Sequence, residues 1–182
     1  MAFGHDDVVL GIGAHREPVW PQGLLGSITH SADYAAAIVC QAGELCGIGI
    51  DIEYVIDTPT RTDMIGEVVS SAELARLRTS DTAESINTLF TLVFSAKESF
   101  FKAVFPQVKH YFDFGAVEFI GIDMPARIIT MRCVEHLNAR LQPGFAFEAG
   151  YIFLAPDRVM TMVALADESH NRSKMTGAIN VC

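Results

Sequence analysis

Three short segments carry residue types able to handle phosphate chemistry. Gly47–Glu53 reads G-I-G-I-D-I-E. Strand alternation puts Ile48, Ile50 and Ile52 on one face and Gly49, Asp51 and Glu53 on the other. Two carboxylates about 7 Å apart along one face repel each other unless a cation lies beside them, and an all-oxygen donor set suits magnesium. The same spacing also fits a hydrated acidic strand edge. In Phe94–Ala103, F-S-A-K-E-S-F-F-K-A, Glu98 and Lys102 lie four residues apart and share a helix face. An ordinary surface ion pair is the plain alternative, and such a pair contributes only about 0.3–0.5 kcal/mol. The phenylalanines around it (Phe94, Phe100, Phe101 and Phe105) place part of that charge near a packed interface, where an ion pair is costly to keep without a task. The third segment is Trp20–Ser31, W-P-Q-G-L-L-G-S-I-T-H-S. Its Ser27, Thr29 and His30 offer hydroxyl and imidazole donors of the kind a phosphate needs. Loop-capping hydroxyls and a surface histidine are the alternative there.

The elements that must hold these groups follow from periodicity. Tyr34–Gln41 and Gly47–Val55 are apolar runs joined by a short loop containing Gly43, which reads as a β-hairpin. Asp57–Thr62 (DTPTRT) is turn-rich and marks the boundary between a first lobe, residues 1–57, and a second, residues 58–170. Ser71 opens a helix over Ser71–Arg78. Ile86–Val104 is the clearest helix, with Phe90, Val93, Phe94, Phe101, Val104 and Phe105 at three- and four-residue steps, and Pro106 is expected to end it. Gly115–Ile122, Arg127–Cys133, Phe145–Leu154 and Val159–Ala166 read as strands, with Val134–Leu141 as a short helix or loop between them. Asn171–Cys182 reads as a polar tail. The class is α+β, antiparallel strands packed on one long helix.

Composition narrows the function. The chain has 182 residues, half of them hydrophobic, and a net charge of −9, which excludes a disordered chain and argues against a nucleic-acid binder. No apolar run is long enough for a membrane span, and the acidic start lacks the basic region of a signal peptide. Cys40, Cys46, Cys133 and Cys182 lack C-x-x-C pairing and read as thiols in a reducing cytoplasm. The two G-I-G runs, at Gly11 and Gly47, are not followed by the glycines of a dinucleotide fingerprint.

Taken together, Glu17–Ser31, G-I-D-I-E at Gly49–Glu53 and F-S-A-K-E-S-F-F-K-A at Phe94–Ala103 resemble, in order and spacing, the 4′-phosphopantetheinyl transferases of the larger, two-lobed type. The likeness is greatest to the branch serving siderophore, nonribosomal peptide and polyketide synthases. The resemblance implies two α+β lobes related by a pseudo-twofold axis, with coenzyme A in the cleft between them. It implies transfer of phosphopantetheine from coenzyme A to a serine of an apo carrier protein, with release of adenosine 3′,5′-bisphosphate, by a cytoplasmic monomer. Asp51, Glu53 and Glu98 would hold magnesium, or manganese in its place. Arg16, Ser27, Thr29, His30 and Lys102 would contact coenzyme A, with Lys97, pointing about 100° away from Glu98 on the helix, as a further phosphate contact. Glu98 would take the serine proton and Lys102 would serve the leaving phosphate. The Phe105–Phe114 stretch, with Lys109 and His110, is the candidate surface for the carrier, and core packing of Phe112 and Phe114 is its alternative.

Only Met1–Val19 precedes Trp20, so the first lobe is expected to be short, with Arg16 its sole Arg or Lys there. Two other readings remain from the sequence: a truncated homologue that binds carrier protein without turnover, and a magnesium-dependent nuclease, which the charge of −9 opposes.

Overall fold

The computed structural model describes residues 10–167; the expected polar tail lies outside them, as does Cys182. A two-residue ribbon, β1 (Gly11–Ile12) with β2 (Pro18–Val19), leads into β3 (Leu24–Ser31), β4 (Tyr34–Gln41) and β5 (Leu45–Tyr54). Three helices follow: α1 (Thr58–Val68), α2 (Ser71–Thr79) and α3 (Ile86–Val108). After a short 3₁₀ turn at Phe114–Ala116 come β6 (Val117–Asp123), β7 (Ile128–Cys133), β8 (Ala146–Ala155) and β9 (Arg158–Ala166). The fold is α+β, as expected, with every described strand pair antiparallel.

Strand pairing differs from the sequence reading. The hairpin is β3–β4, in register from Leu24↔Gln41 to Ser31↔Tyr34. It closes through a two-residue turn at Ala32–Asp33, with Ala32 at φ 48°. Such turns favour glycine or asparagine at positive φ, so an alanine hides the signal. β5 leaves β4 and joins β9, giving a five-stranded sheet in the order β5-β9-β8-β7-β6. The D-I-E strand, drawn with the first lobe by the expected boundary, is thus hydrogen-bonded into the sheet of the second.

The helices are set by local chemistry. Asp57, read as part of a boundary loop, is the N-cap of α1. Its carboxylate accepts from Thr60 N at 2.8 Å, and Pro59 sits in the first turn, where its missing N–H costs nothing. α2 starts at Ser71, as expected, and Ser70 caps it in a capping box with Glu73. α3 runs past Pro106 to Val108 and ends at Lys109 in the left-handed region, φ 53°. The proline forgoes one bond, to the Lys102 carbonyl, near the end of the helix. The Phe100, Val104 and Phe105 side chains around it are buried and hold the last turn in place. Val134–Leu141 is a loop, pinned by the Asn138 side chain accepting from Arg140 N and Leu141 N.

The core lies between α3 and the inner face of the large sheet. Phe90, Leu92, Val93, Phe100 and Val104 meet Phe119, Ile129, Met131, Ala149 and Val163, all fully buried, and Phe100 stacks on Phe147 at 4.2 Å. Each large side chain buried this way contributes about 1.5–3 kcal/mol, so the placement of α3 on the sheet is strongly specified. Among the described residues no helix is long and apolar enough to cross a membrane.

Candidate functional site

The site forms where α3 crosses β5. Two glycines permit the close crossing. A Cβ on Gly49 would lie 1.9 Å from the Ser99 carbonyl oxygen, and one on Gly47 2.5 Å from that of Ala103. The face that carries Gly47, Gly49, Asp51 and Glu53 is therefore the face on which the helix lies. Ser95 and Ser99, one turn apart, fasten α3 to β9 through the Thr161 hydroxyl, at 2.9 and 2.7 Å. Lys102 continues the same stripe and arrives over Asp51.

Lys102 Nζ donates to Asp51 Oδ1 at 2.6 Å and to Thr29 Oγ1 at 3.3 Å. Thr29 Oγ1 also accepts from Ile52 N at 3.2 Å and donates to Asp51 Oδ1 at 3.3 Å. The ion pair that Lys102 makes among the described residues is thus with Asp51, not the Glu98–Lys102 pair that was the plain alternative. Asp51 is 3% exposed, and its Oδ2 has no hydrogen-bond partner. A buried carboxylate oxygen without a donor is costly, and a cation is the simplest group to satisfy it.

The neighbouring carboxylates register the same shortage of positive charge. Burial first, then the negative charge of Asp51, raises the Glu53 pKa to about 7. Burial and Asp51 also raise that of Glu98. Lys102 works against both shifts. Glu53 and Glu98 therefore both feel the charge of Asp51, although among the described residues no three Asp, Glu, His or Cys side chains are placed to grip a metal as they stand. The hard oxygen donors and the orphaned Asp51 oxygen fit a magnesium-type cation.

Of the expected phosphate contacts, the fold gathers some and separates others. Arg16, Ser27 and Lys102 line one cavity of about 190 Å³, walled by Trp20, Phe101 and Tyr111. Ser27 and Thr29 face inward from β3, whereas His30, next in the strand, is exposed on the opposite face. The reading of Ser27, Thr29 and His30 as one donor cluster overlooked that they lie within β3. The Ser27 hydroxyl accepts from Ile50 N at 3.0 Å, so both inward hydroxyls cap the edge of β5 that faces away from β9.

Lys97 is the second departure. It is 2% exposed and donates to Glu73 Oε1 at 2.8 Å, Val68 O at 2.8 Å and Phe114 O at 3.1 Å. Burial lowers its pKa, and Glu73 opposes that. All three ammonium protons are committed to the protein, and the side chain ties α1, α2 and the 3₁₀ turn to α3. Glu73 carried no functional signal in sequence beyond its place in a helix start.

Glu98 lines a second cavity, of about 270 Å³, with Phe101, Tyr111, Phe112 and Asp113. In the candidate docking stretch, Phe112 and Phe114 pack against the core, while Tyr111 remains 64% exposed.

Comparison with known proteins identifies a family. Residues 47–149 match the 4′-phosphopantetheinyl transferase superfamily, and residues 1–40 match the 4′-phosphopantetheinyl transferase N-terminal domain. Enterobactin synthase component D of Salmonella typhi is 34% identical over 138 residues, covering 76% of this chain and 52% of the relative. The protein of the same name from Escherichia coli K12 is 40% identical over 95 residues, covering 52% and 43%. The 4′-phosphopantetheinyl transferase Npt of Nocardia iowensis is 33% identical over 112 residues, covering 62% and 48%. The chain spans about half the length of the curated relatives it matches. The first matched region carries the Asp51–Glu53 strand and the Glu98–Lys102 helix together, and on that match the chain belongs to the 4′-phosphopantetheinyl transferase superfamily.

Proposed function

We propose that the chain transfers the 4′-phosphopantetheine group from coenzyme A to a serine of an apo carrier protein and releases adenosine 3′,5′-bisphosphate. The observation that carries the reading is the incomplete ion pair: Lys102 Nζ 2.6 Å from Asp51, whose second oxygen has no partner, beside two carboxylates of raised pKa. Asp51, Glu53 and Glu98 hold magnesium, which when bound supplies charge neutralisation for a pyrophosphate. Arg16, Ser27 and Lys102 bind the phosphate-bearing end of coenzyme A in the cavity they share. The serine oxygen attacks the β-phosphorus, and the bond from that phosphorus to the oxygen bridging it to the α-phosphate breaks. Glu98, kept ionised by the cation it would help to hold, accepts the serine proton. Lys102, 27% exposed at its side chain, donates a charged hydrogen bond to the departing phosphate.

The test is intact-mass analysis of an apo carrier protein after incubation with coenzyme A, magnesium and this chain. A mass gain of one phosphopantetheine group, dependent on all three, is expected. No gain with several carriers, from a chain shown to be folded, overturns the reading.

A further inference from the structure

One residue beyond Glu53, the end of β5 carries a cluster that the proposed chemistry does not use. Arg158, 7% exposed, lies with its guanidinium carbon 3.8 Å from the Tyr34 ring centre and 4.1 Å from that of Tyr54. It also donates to the Tyr54 hydroxyl and stands 3.6 Å from Asp33. The Tyr54 hydroxyl in turn donates to Asp33 at 2.9 Å. Asp33 and Tyr34 belong to the β3–β4 turn, Tyr54 ends β5, and Arg158 opens β9. A planar cation between two aromatic faces gains from both, and only arginine combines that stacking with a forked set of donors.

The placement matters because the hairpin lies against β5 without joining its sheet. A two-stranded sheet is marginal alone. Among the described residues, its bonds to β5 within the strands are side-chain contacts, to the Ile50 and Ile52 amides and to the Asp51 carboxylate, rather than a backbone ladder. Two of them are made by Thr29, which also touches Lys102. We infer that Arg158 is a positioning residue: stacked between Tyr34 and Tyr54, it seats the hairpin turn on the end of β5 and so sets where Thr29 stands over Lys102 and Asp51. Only its effect on turnover rests on the proposed transfer activity.

The test is residue-resolved amide hydrogen exchange on the full chain, with Arg158→Ala and, as a surface change on the hairpin side, Tyr34→Ala. The Ile50 and Ile52 amides should exchange at least about tenfold faster in both variants, while Ile129 and Met131 in the β7–β8 ladder keep parental rates. Transfer to the carrier should fall in both variants. Parental exchange at Ile50 and Ile52 overturns the inference, and so does a uniform rise across the sheet, which would mark general destabilisation. Selective acceleration with parental turnover overturns the link to Thr29. Should Arg158→Ala fail to fold, Tyr34→Ala decides alone. Should the parent show no transfer, the exchange data still judge the clamp.

Discussion

Helix α3 carries two lysines that both meet a buried carboxylate, and the two pairs are opposite in kind. Lys97 and Glu73 are 1% and 4% exposed at their side chains, and their hydrogen-bonding capacity is filled: the ammonium has three acceptors, and the carboxylate also takes Ser70 N and Phe119 N. Lys102 is more open, 27% exposed at its side chain, and its equally buried partner Asp51 has Oδ2 left without a donor. A pair whose every atom is satisfied has nothing left to offer a ligand and acts as architecture. A pair with one oxygen unmet keeps affinity in reserve for something that arrives later. Five residues on one helix separate the two behaviours.

The contrast can be broken from either side. The largest effect is expected from Asp51→Ala, which removes the unmet oxygen and the anchor of Lys102 together. Magnesium-dependent transfer should vanish in the carrier mass assay, and full activity in that variant would refute the assignment. Next comes Lys97→Met, which leaves Glu73 charged, buried and short of its ammonium. Breaking a buried pair in this way costs about 3–5 kcal/mol, to be read as a lower urea midpoint at unchanged m-value. A stability loss below about 1 kcal/mol would mean that Lys97 is not the structural member.

Lys102→Ala should invert that pattern. Turnover falls about 10²-fold, the scale for one positioned acid or base, while coenzyme A still binds and the urea midpoint falls less than in Lys97→Met, because water can reach the place of Lys102, 27% exposed at its side chain. Parental turnover would leave Lys102 as a neutralising partner only.

The smallest effect concerns protons. Glu53 is raised to about 7 by burial and by Asp51, so the fold favours its neutral form. Its contribution to the stability of the metal-free protein is full below its ordinary value near 4.5 and is lost as pH rises through about 7. Melting temperature without magnesium should therefore fall between pH 5 and 8, and magnesium should restore more of it at pH 8 than at pH 5. Binding near pH 6 should release up to about one proton, measurable by calorimetry in buffers of different ionisation enthalpy. No proton release there would mean Glu53 does not take part.

What the sequence made legible follows the same division. The alternation in G-I-G-I-D-I-E and the four-residue step from Glu98 to Lys102 are local, so the facing of both groups could be read directly. The glycines at positions 47 and 49 belong to that pattern, although their reason, the approach of Ser99 and Ala103, is tertiary. Lys97 sits beside Glu98 in the same motif, and its partner Glu73 lies on another helix, where it looks like an ordinary cap. His30 was grouped with Ser27 and Thr29 because the strand around them was read as loop. That strand was hidden by a tight turn with alanine in a conformation usually given to glycine. The T-P-T-R-T run concealed α1 for a related reason: threonine and proline signal turns, but behind an Asp cap they fill a first helical turn well.

The hydroxyl caps on β5 have a consequence beyond positioning. An exposed strand edge is a template on which another chain can add, and the rim of this five-stranded sheet would be such a template without Ser27 and Thr29. Because side chains rather than a continuous ladder cover it, the sheet stops at five strands although another segment lies against it. The two hydroxyls thus take up two amides that a sixth strand would otherwise have to pair. Replacing both with alanine would leave the buried Ile50 and Ile52 amides without a partner, each at a cost of about 1–3 kcal/mol.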